Sequence, residues 1–174
     1  MRLHGPWKLH VVPLDPGAAT TDANDGDSNV EDANPPLRFK VPGTINYELL
    51  EPFASSGVTV RFKRAFGKPT GLDDDQSLFL IIESLSHDAR ISLYAAGDEC
   101  LTTSVSRSDS IGRFDSETAD QQAVTKLDVT GLLEQRNGLV IEMSIESDAL
   151  SAGAGQYQPI GIDGEVRLEI VDGA

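Results

Sequence analysis

Apolar residues at every second position dominate this chain, and they decide what it can build. In "GVTVRFKRAFGKP" (57–69), Val58, Val60, Phe62 and Phe66 share one side of an extended backbone, with Arg64 interrupting the row. Side chains alternate faces along a strand, so this spacing buries one face and wets the other. The alternation returns in "LVIEMSIES" (139–147), with Leu139, Ile141, Met143 and Ile145 on one side. It returns again in "GEVRLEIV" (164–171), through Val166, Leu168 and Ile170, and in "ARISLYAAGDECL" (89–101), through Ile91, Leu93 and Ala95. Ala96-Gly97-Asp98 predicts a hairpin turn. "PWKLHVV" (6–12) and "LRFKV" (37–41) read as further short strands. The near-continuous apolar run "SLFLIIESL" (77–85) predicts a central strand covered on both faces. "VTKLDVTGLLEQRNG" (124–138) predicts a strand that passes into a helical turn and stops at Asn137-Gly138.

No segment holds a 3.6-residue apolar period long enough for a substantial helix. About eight alternating segments with long turns predict an all-β fold, two antiparallel sheets packed as a β-sandwich. The 174 residues suit one domain, 1–174, which buries roughly 70% of its extended-chain surface. Strand pairing is not legible from periodicity. An apolar fraction of 39% is low for such a domain, and two stretches account for it. Residues 14–36 are rich in Gly, Pro, Asp, Asn and Ser, and 103–122 are polar. Both are expected to be long mobile loops, with too little apolar surface to offset the entropy of ordering.

Twenty-eight acidic against 14 basic residues give a net charge of −14. That field repels phosphate backbones and anionic lipid, so neither nucleic acid nor membrane is an expected partner. Cys100 is the only cysteine and no apolar leader-like run stands near Met1, which points to a cytoplasmic protein. His4, His10 and His87 are far apart and outside any zinc spacing. "DANDGD" (22–27) has the composition of a calcium loop but places Asp27 where the turn glycine belongs, and "DDD" (73–75) reads as a solvated turn. No cofactor is therefore expected.

Six blocks, in order, resemble the N-terminal sugar-binding-type jelly roll of glycoside hydrolase family 2, the β-galactosidase, β-glucuronidase and β-mannosidase family. They are "GPWKL" with Trp7, "VPGTI" (41–45), "RFKRAF" (61–66), "LFLIIESLSHDARISLYAAG" (78–97), "LDVTGLLEQRNGLVIEM" (127–143) and "YQPIGIDGEVRLEI" (157–170). The resemblance implies a galactose-binding-domain-like jelly roll, in agreement with the strand pattern. It also implies that the catalytic carboxylates lie on a later (β/α)8 barrel, which these 174 residues do not contain. Retaining glycosidases need two carboxyls about 5–5.5 Å apart, and no such pair stands out, so the chain is read as non-catalytic. Modules of this broad fold often hold a structural calcium, which here has no assigned residues.

In the β-galactosidase branch the jelly roll lends sugar contacts to the barrel. Thr44 and Ile45 stand where that pattern has Asn and Trp, whereas Asp148 of Ser147-Asp148 matches the second contact. Asp148 is thus a candidate ligand residue, or else a plain loop acid. Sugar sites combine an aromatic platform with planar polar groups. Tyr157, in a Gly-rich loop, is a candidate platform, and Arg113, Phe114 and Asp115 put a cation, a ring and an acid in one loop, though a satisfied surface loop is the more usual reading of such a stretch. Trp7 is expected in the core, and Arg64 in a structural ion pair. The expected partner is a carbohydrate, or alternatively a protein: a separate glycosidase subunit or a second copy.

Overall fold

The computed structural model describes residues 1–3, 5–14, 35–73, 75–106, 124–151 and 157–172. Its organising element is β4 (Val58–Phe66), which pairs antiparallel with β9 (Asn137–Ile145) over nine residues, from Val58↔Ile145 to Phe66↔Asn137. Both strands alternate as the sequence requires. Val58, Val60 and Phe62 of β4 and Leu139, Ile141, Met143 and Ile145 of β9 are buried. To one side of this pair lie β1 (Trp7–Pro13) and the short β2 (Leu37–Phe39). To the other lie β6 (Ala89–Ala95) and β7 (Asp98–Val105), giving the order β2-β1-β4-β9-β6-β7.

A second layer faces this sheet. It consists of β11 (Val166–Asp172), β5 (Gln76–Glu83) and β8 (Val124–Asp128), paired in that order, and of β10 (Ile160–Ile162) with β3 (Gly43–Ile45). A bridge between Leu85 and Ile162 joins the two pieces. One apolar cluster unites both layers: Phe62, Ile141, Ile91 and Trp7 from the large sheet with Leu80, Ile82, Leu168, Ile160 and Ile162 from the other. The fold is the antiparallel β-sandwich expected. Trp7 is fully buried, and its indole Nε1 donates to the Leu3 carbonyl at 3.2 Å. Arg64 donates from Nη1 to the Pro6 carbonyl at 2.9 Å, so at least part of its role is to hold the chain entering β1.

Several details depart from the sequence reading. The segment after β8 forms a turn rather than a helical turn. The Asp128 carboxylate accepts from Thr130 N at 2.9 Å, and Leu132 N donates to Val129 O. Such side-chain bonds to nearby backbone compete with helix. Asn137 opens β9 instead of stopping a helix. Its buried amide accepts from Glu134 N and donates to Glu134 O at 2.9 and 2.7 Å. Strand β5 is central in its sheet, as expected, and buries residues on both faces. Leu78, Leu80 and Ile82 enter the core. On the opposite face Ile81 lies in register between Lys126 and Arg167, and the Lys126 ammonium sits 4.0 Å from the Phe79 ring centroid. Long charged side chains shield these apolar groups from water. Ile170, in the same alternating row as Leu168, is 42% exposed.

Strand β7 takes in Thr103, Ser104 and Val105, which the composition placed in a loop. An edge strand can be polar, because the β6 ladder supplies its hydrogen bonds, and Thr102 Oγ1 meets Ser92 Oγ at 2.7 Å. Leu14 N likewise bonds the Gly57 carbonyl at 3.0 Å. Residues 15–34 and 107–122 of the expected loops lie outside the described residues. The β6–β7 hairpin turns at Ala96 and Gly97, both at positive φ (53° and 105°), as a two-residue loop of right-handed twist requires. Where β10 meets β3, a Cβ on Gly161 would stand 2.2 Å from the Gly43 carbonyl oxygen, so only glycine fits. Among the described residues, no helix is long and apolar enough to cross a membrane.

Glu83 and Arg167 form an ion pair across β5 and β11. The Arg167 hydrogen bond, then the bond from Glu165 N, hold the Glu83 carboxyl below its ordinary value near 4.5. A depressed carboxyl contributes stability above that ordinary value, and the contribution is lost as pH falls through the folded value. On lowering pH from about 5.5 to about 3, wild type should therefore lose more stability in urea melts than Glu83→Gln. Parallel loss in the two proteins would contradict the assignment. Phe62→Ala, at the fully buried centre of β4, should cost about 3–5 kcal/mol, against about 0.5 or less for exposed Ile170→Ala. The same melts measure both, and a Phe62→Ala loss below about 1 kcal/mol would contradict the packing described.

Candidate functional site

The alternation that fills the core also sets what the large sheet shows on its outer face. On β4 the residues between the buried ones are Arg61 and Lys63, on β9 Val140 and Glu142, on β6 Arg90, Ser92 and Tyr94. Pairing aligns them into rows. Arg61 faces Glu142, which faces Arg90, and Lys63 faces Val140, which faces Ser92. In the next row Ala65 faces Gly138, which faces Tyr94, so little side-chain bulk stands beside the ring. The resulting groove has a volume of about 490 Å³ and is also lined by Glu99 of β7.

Glu99 reaches the groove through an irregularity. Leu93 pairs with Leu101 and Tyr94 with Glu99, leaving Cys100 as the extra residue. Such bulges re-aim side chains at sheet edges. Here the Tyr94 hydroxyl donates to Glu99 Oε2 at 3.3 Å. Burial, then the negative Glu99, pushes the Tyr94 phenol above its ordinary value. Arg61 Nε is paired with Glu142 Oε2, fixing both groups on the floor. The arrangement offers one ring, three cationic groups, two carboxylates and two hydroxyls. Those are groups for binding, with no activated nucleophile among them. No cluster of three or more His, Cys, Asp or Glu suited to a metal occurs among the described residues.

A second depression of about 480 Å³ lies between β2 and β3 and is lined by Leu9, Leu37, Phe39, Thr44, Asn46 and Leu49, among others. It contains Thr44, the position at which the family resemblance looks for a sugar contact. Asp148 lies in the first turn of a short helix, Ser147–Ser151, and is exposed. Tyr157 is half-buried. Its ring packs on Tyr47 at 5.3 Å between centroids, and its hydroxyl donates to the Ile45 carbonyl at 3.2 Å. Neither residue lines the groove. Arg113, Phe114 and Asp115 lie outside the described residues. The groove residues were visible in the sequence only as the polar positions between apolar ones, and nothing local marks them as neighbours.

No family model and no curated protein matches the chain. Solved structures do. A Bifidobacterium dentium β-glucuronidase complexed with coumarin-3-O-glucuronide superposes with a TM-score of 0.57 at 18% identity over 99% of this chain. A Faecalibacterium prausnitzii β-glucuronidase gives 0.56 at 15% over 99%, and a β-D-mannosidase from Dictyoglomus thermophilum 0.55 at 13% over 97%. The chain spans 30%, 31% and 22% of those three proteins respectively. At such identities the likeness establishes the fold.

Burial is the first cause of the Tyr94 shift and Glu99 the next, so Glu99→Gln should lower the pKa of the Tyr94 phenol by removing the carboxylate's repulsion of the phenolate. Ring-resonance NMR titration resolves Tyr94 from the other tyrosines. A Tyr94 pKa that Glu99→Gln does not move would mean that the carboxylate does not stand against the phenol.

Proposed function

We propose that this chain is a non-catalytic, carbohydrate-binding-type β-sandwich module, similar to the accessory domain of family 2 glycosidases and without their catalytic barrel. The observation that carries the proposal is the superposition of nearly the whole chain on a fraction of much larger glycosidases. The groove supports a binding role. An aromatic ring flanked by small residues gives a sugar face somewhere to stack, while Glu99, Glu142 and Ser92 suit its hydroxyls. Its volume falls in the range of small-ligand sites. The reading calls for no cofactor. The acidic balance argues against nucleic acid or an anionic membrane as partner.

A second reading, a module that docks to a separate glycosidase subunit or to itself, is favoured by one observation. Leu37, on edge strand β2, is 44% exposed beside the depression that Leu9, Phe39 and Leu49 also line.

Ligand binding to the native state must raise its melting temperature. A panel of mono- and oligosaccharides at millimolar concentration should contain at least one that raises the Tm. A flat panel, together with dimers or heteromers in light scattering, would replace the first reading with the second.

A further inference from the structure

Edge strands carry unpaired backbone groups, and folded proteins shorten them, charge them, cover them or flank them with proline. Three edges of this molecule follow that rule. Strand β2 has three residues, carries Arg38 and stands between Pro36 and Pro42. Strand β8 has five and carries Lys126 and Asp128. Along β11 the chain lays its own first residues, with Leu3 N donating to Val166 O and Leu168 N to Met1 O. Strand β7, the other edge of the large sheet, departs from it. It has eight residues, and "CLTTSV" (100–105) within it holds no charge, no proline and no glycine. Among the described residues its backbone pairs with β6 alone. The core also stops short there. Ala89, Ile91 and Leu93 of β6 are buried, whereas Val105, Thr103 and Leu101 opposite them are only half-buried.

We infer that β7 pairs antiparallel with β7 of a second copy of this chain, across a twofold axis at Thr103. That register sets Thr103 opposite Thr103, Leu101 opposite Val105 and Thr102 opposite Ser104. The apolar pair falls on the inner face, where each copy extends the core of the other. The hydroxyl pair falls on the outer face, as Ser92 and Thr102 already do at 2.7 Å. A twofold contact needs a self-complementary strip, and an uncharged one meets that need in a chain of net charge −14. Strand β2 paired about its middle residue would instead set Arg38 against Arg38, which is destabilising. Through β7 two six-stranded sheets join into one, and both Tyr94 grooves open on the same side of it. The inference rests on the self-associating form of the second reading and places it on the edge opposite Leu37. It does not depend on what the groove holds.

Sedimentation of the intact chain between about 1 µM and about 0.1 mM should show a monomer–dimer equilibrium, because so small a contact dissociates on dilution. Raising salt from about 0.05 to about 0.3 M should tighten it by screening repulsion between two acidic copies. Thr103→Lys sets two ammonium groups on the axis and should raise the dissociation constant at least about tenfold. Leu37→Lys, on the opposite edge, should leave it unchanged. In a Cys100→Ser background, Thr103→Cys should cross-link under mild oxidation, since directly opposed residues stand about 4.5–5.5 Å apart at Cα. Thr102→Cys, displaced two residues from its copy and about 8 Å away, should not. A monomer at every concentration would overturn the inference and remove the self-associating reading with it. A dimer that Leu37→Lys breaks and Thr103→Lys spares would overturn the inference alone. So would a dimer in which Thr103→Cys cross-links no faster than Thr102→Cys.

Discussion

The antiparallel ladder between β4 and β9 is the constraint on which the rest of the molecule depends. Nine consecutive pairs place Val58, Val60 and Phe62 beside Met143, Ile141 and Leu139 on the inner face. The same pairs place Arg61 beside Glu142 and Lys63 beside Val140 on the outer one. A shift of one residue would turn Phe62 and Ile141 to water and drive Arg61 and Lys63 into the core. Hydrophobic burial thus selects the register, and the register composes the groove. The site is a consequence of how the core is filled.

The two outer faces of the sandwich use charge differently. On the smaller sheet, Arg167 pairs with Glu83 and lies near Glu169, and Lys126 covers Phe79. There opposite charges sit on neighbouring strands and close over apolar side chains. On the larger sheet, Arg61, Lys63, Arg90, Glu99 and Glu142 are among the described residues that line an open volume. The first pattern shields the outer face of a central strand.

Likeness to glycosidases at under a fifth identity is understandable in these terms. A sandwich of this kind asks its sequence for alternation, a few close backbone approaches and turn residues at the right places. Gly161 against Gly43, and Ala96-Gly97 at the hairpin, are such places. Side chains at the surface are under no such demand, so fold and site can part company. Thr44 illustrates this: its backbone holds β3 to β10 through Gly161, whatever its side chain contacts.

Alternation in "VTVRFKRAF" and "LVIEMSIES" was enough to settle that these segments are strands and which residues point inward, because the two-residue period is a local property of extended backbone. Burial of Trp7 and the turn at Ala96-Gly97 were legible for the same reason. Pairing is not local. That β4 lies between β1 and β9, or that β9 also pairs with β6, depends on which apolar faces close best over one core. The turn before Asn137 and the polar edge strand through Thr103–Val105 depart from the apolar pattern, because side-chain bonds of Asp128 and Asn137 to nearby backbone and the ladder to β6 decide them. The groove is the extreme case. Arg61, Arg90, Tyr94, Glu99 and Glu142 come from four strands, and only tertiary pairing brings them together. The sequence by itself determined a two-layer strand architecture, since burial of alternate residues admits little else. Tertiary structure decided where its charges meet, since neighbours across a sheet are chosen by the packing of the face beneath them.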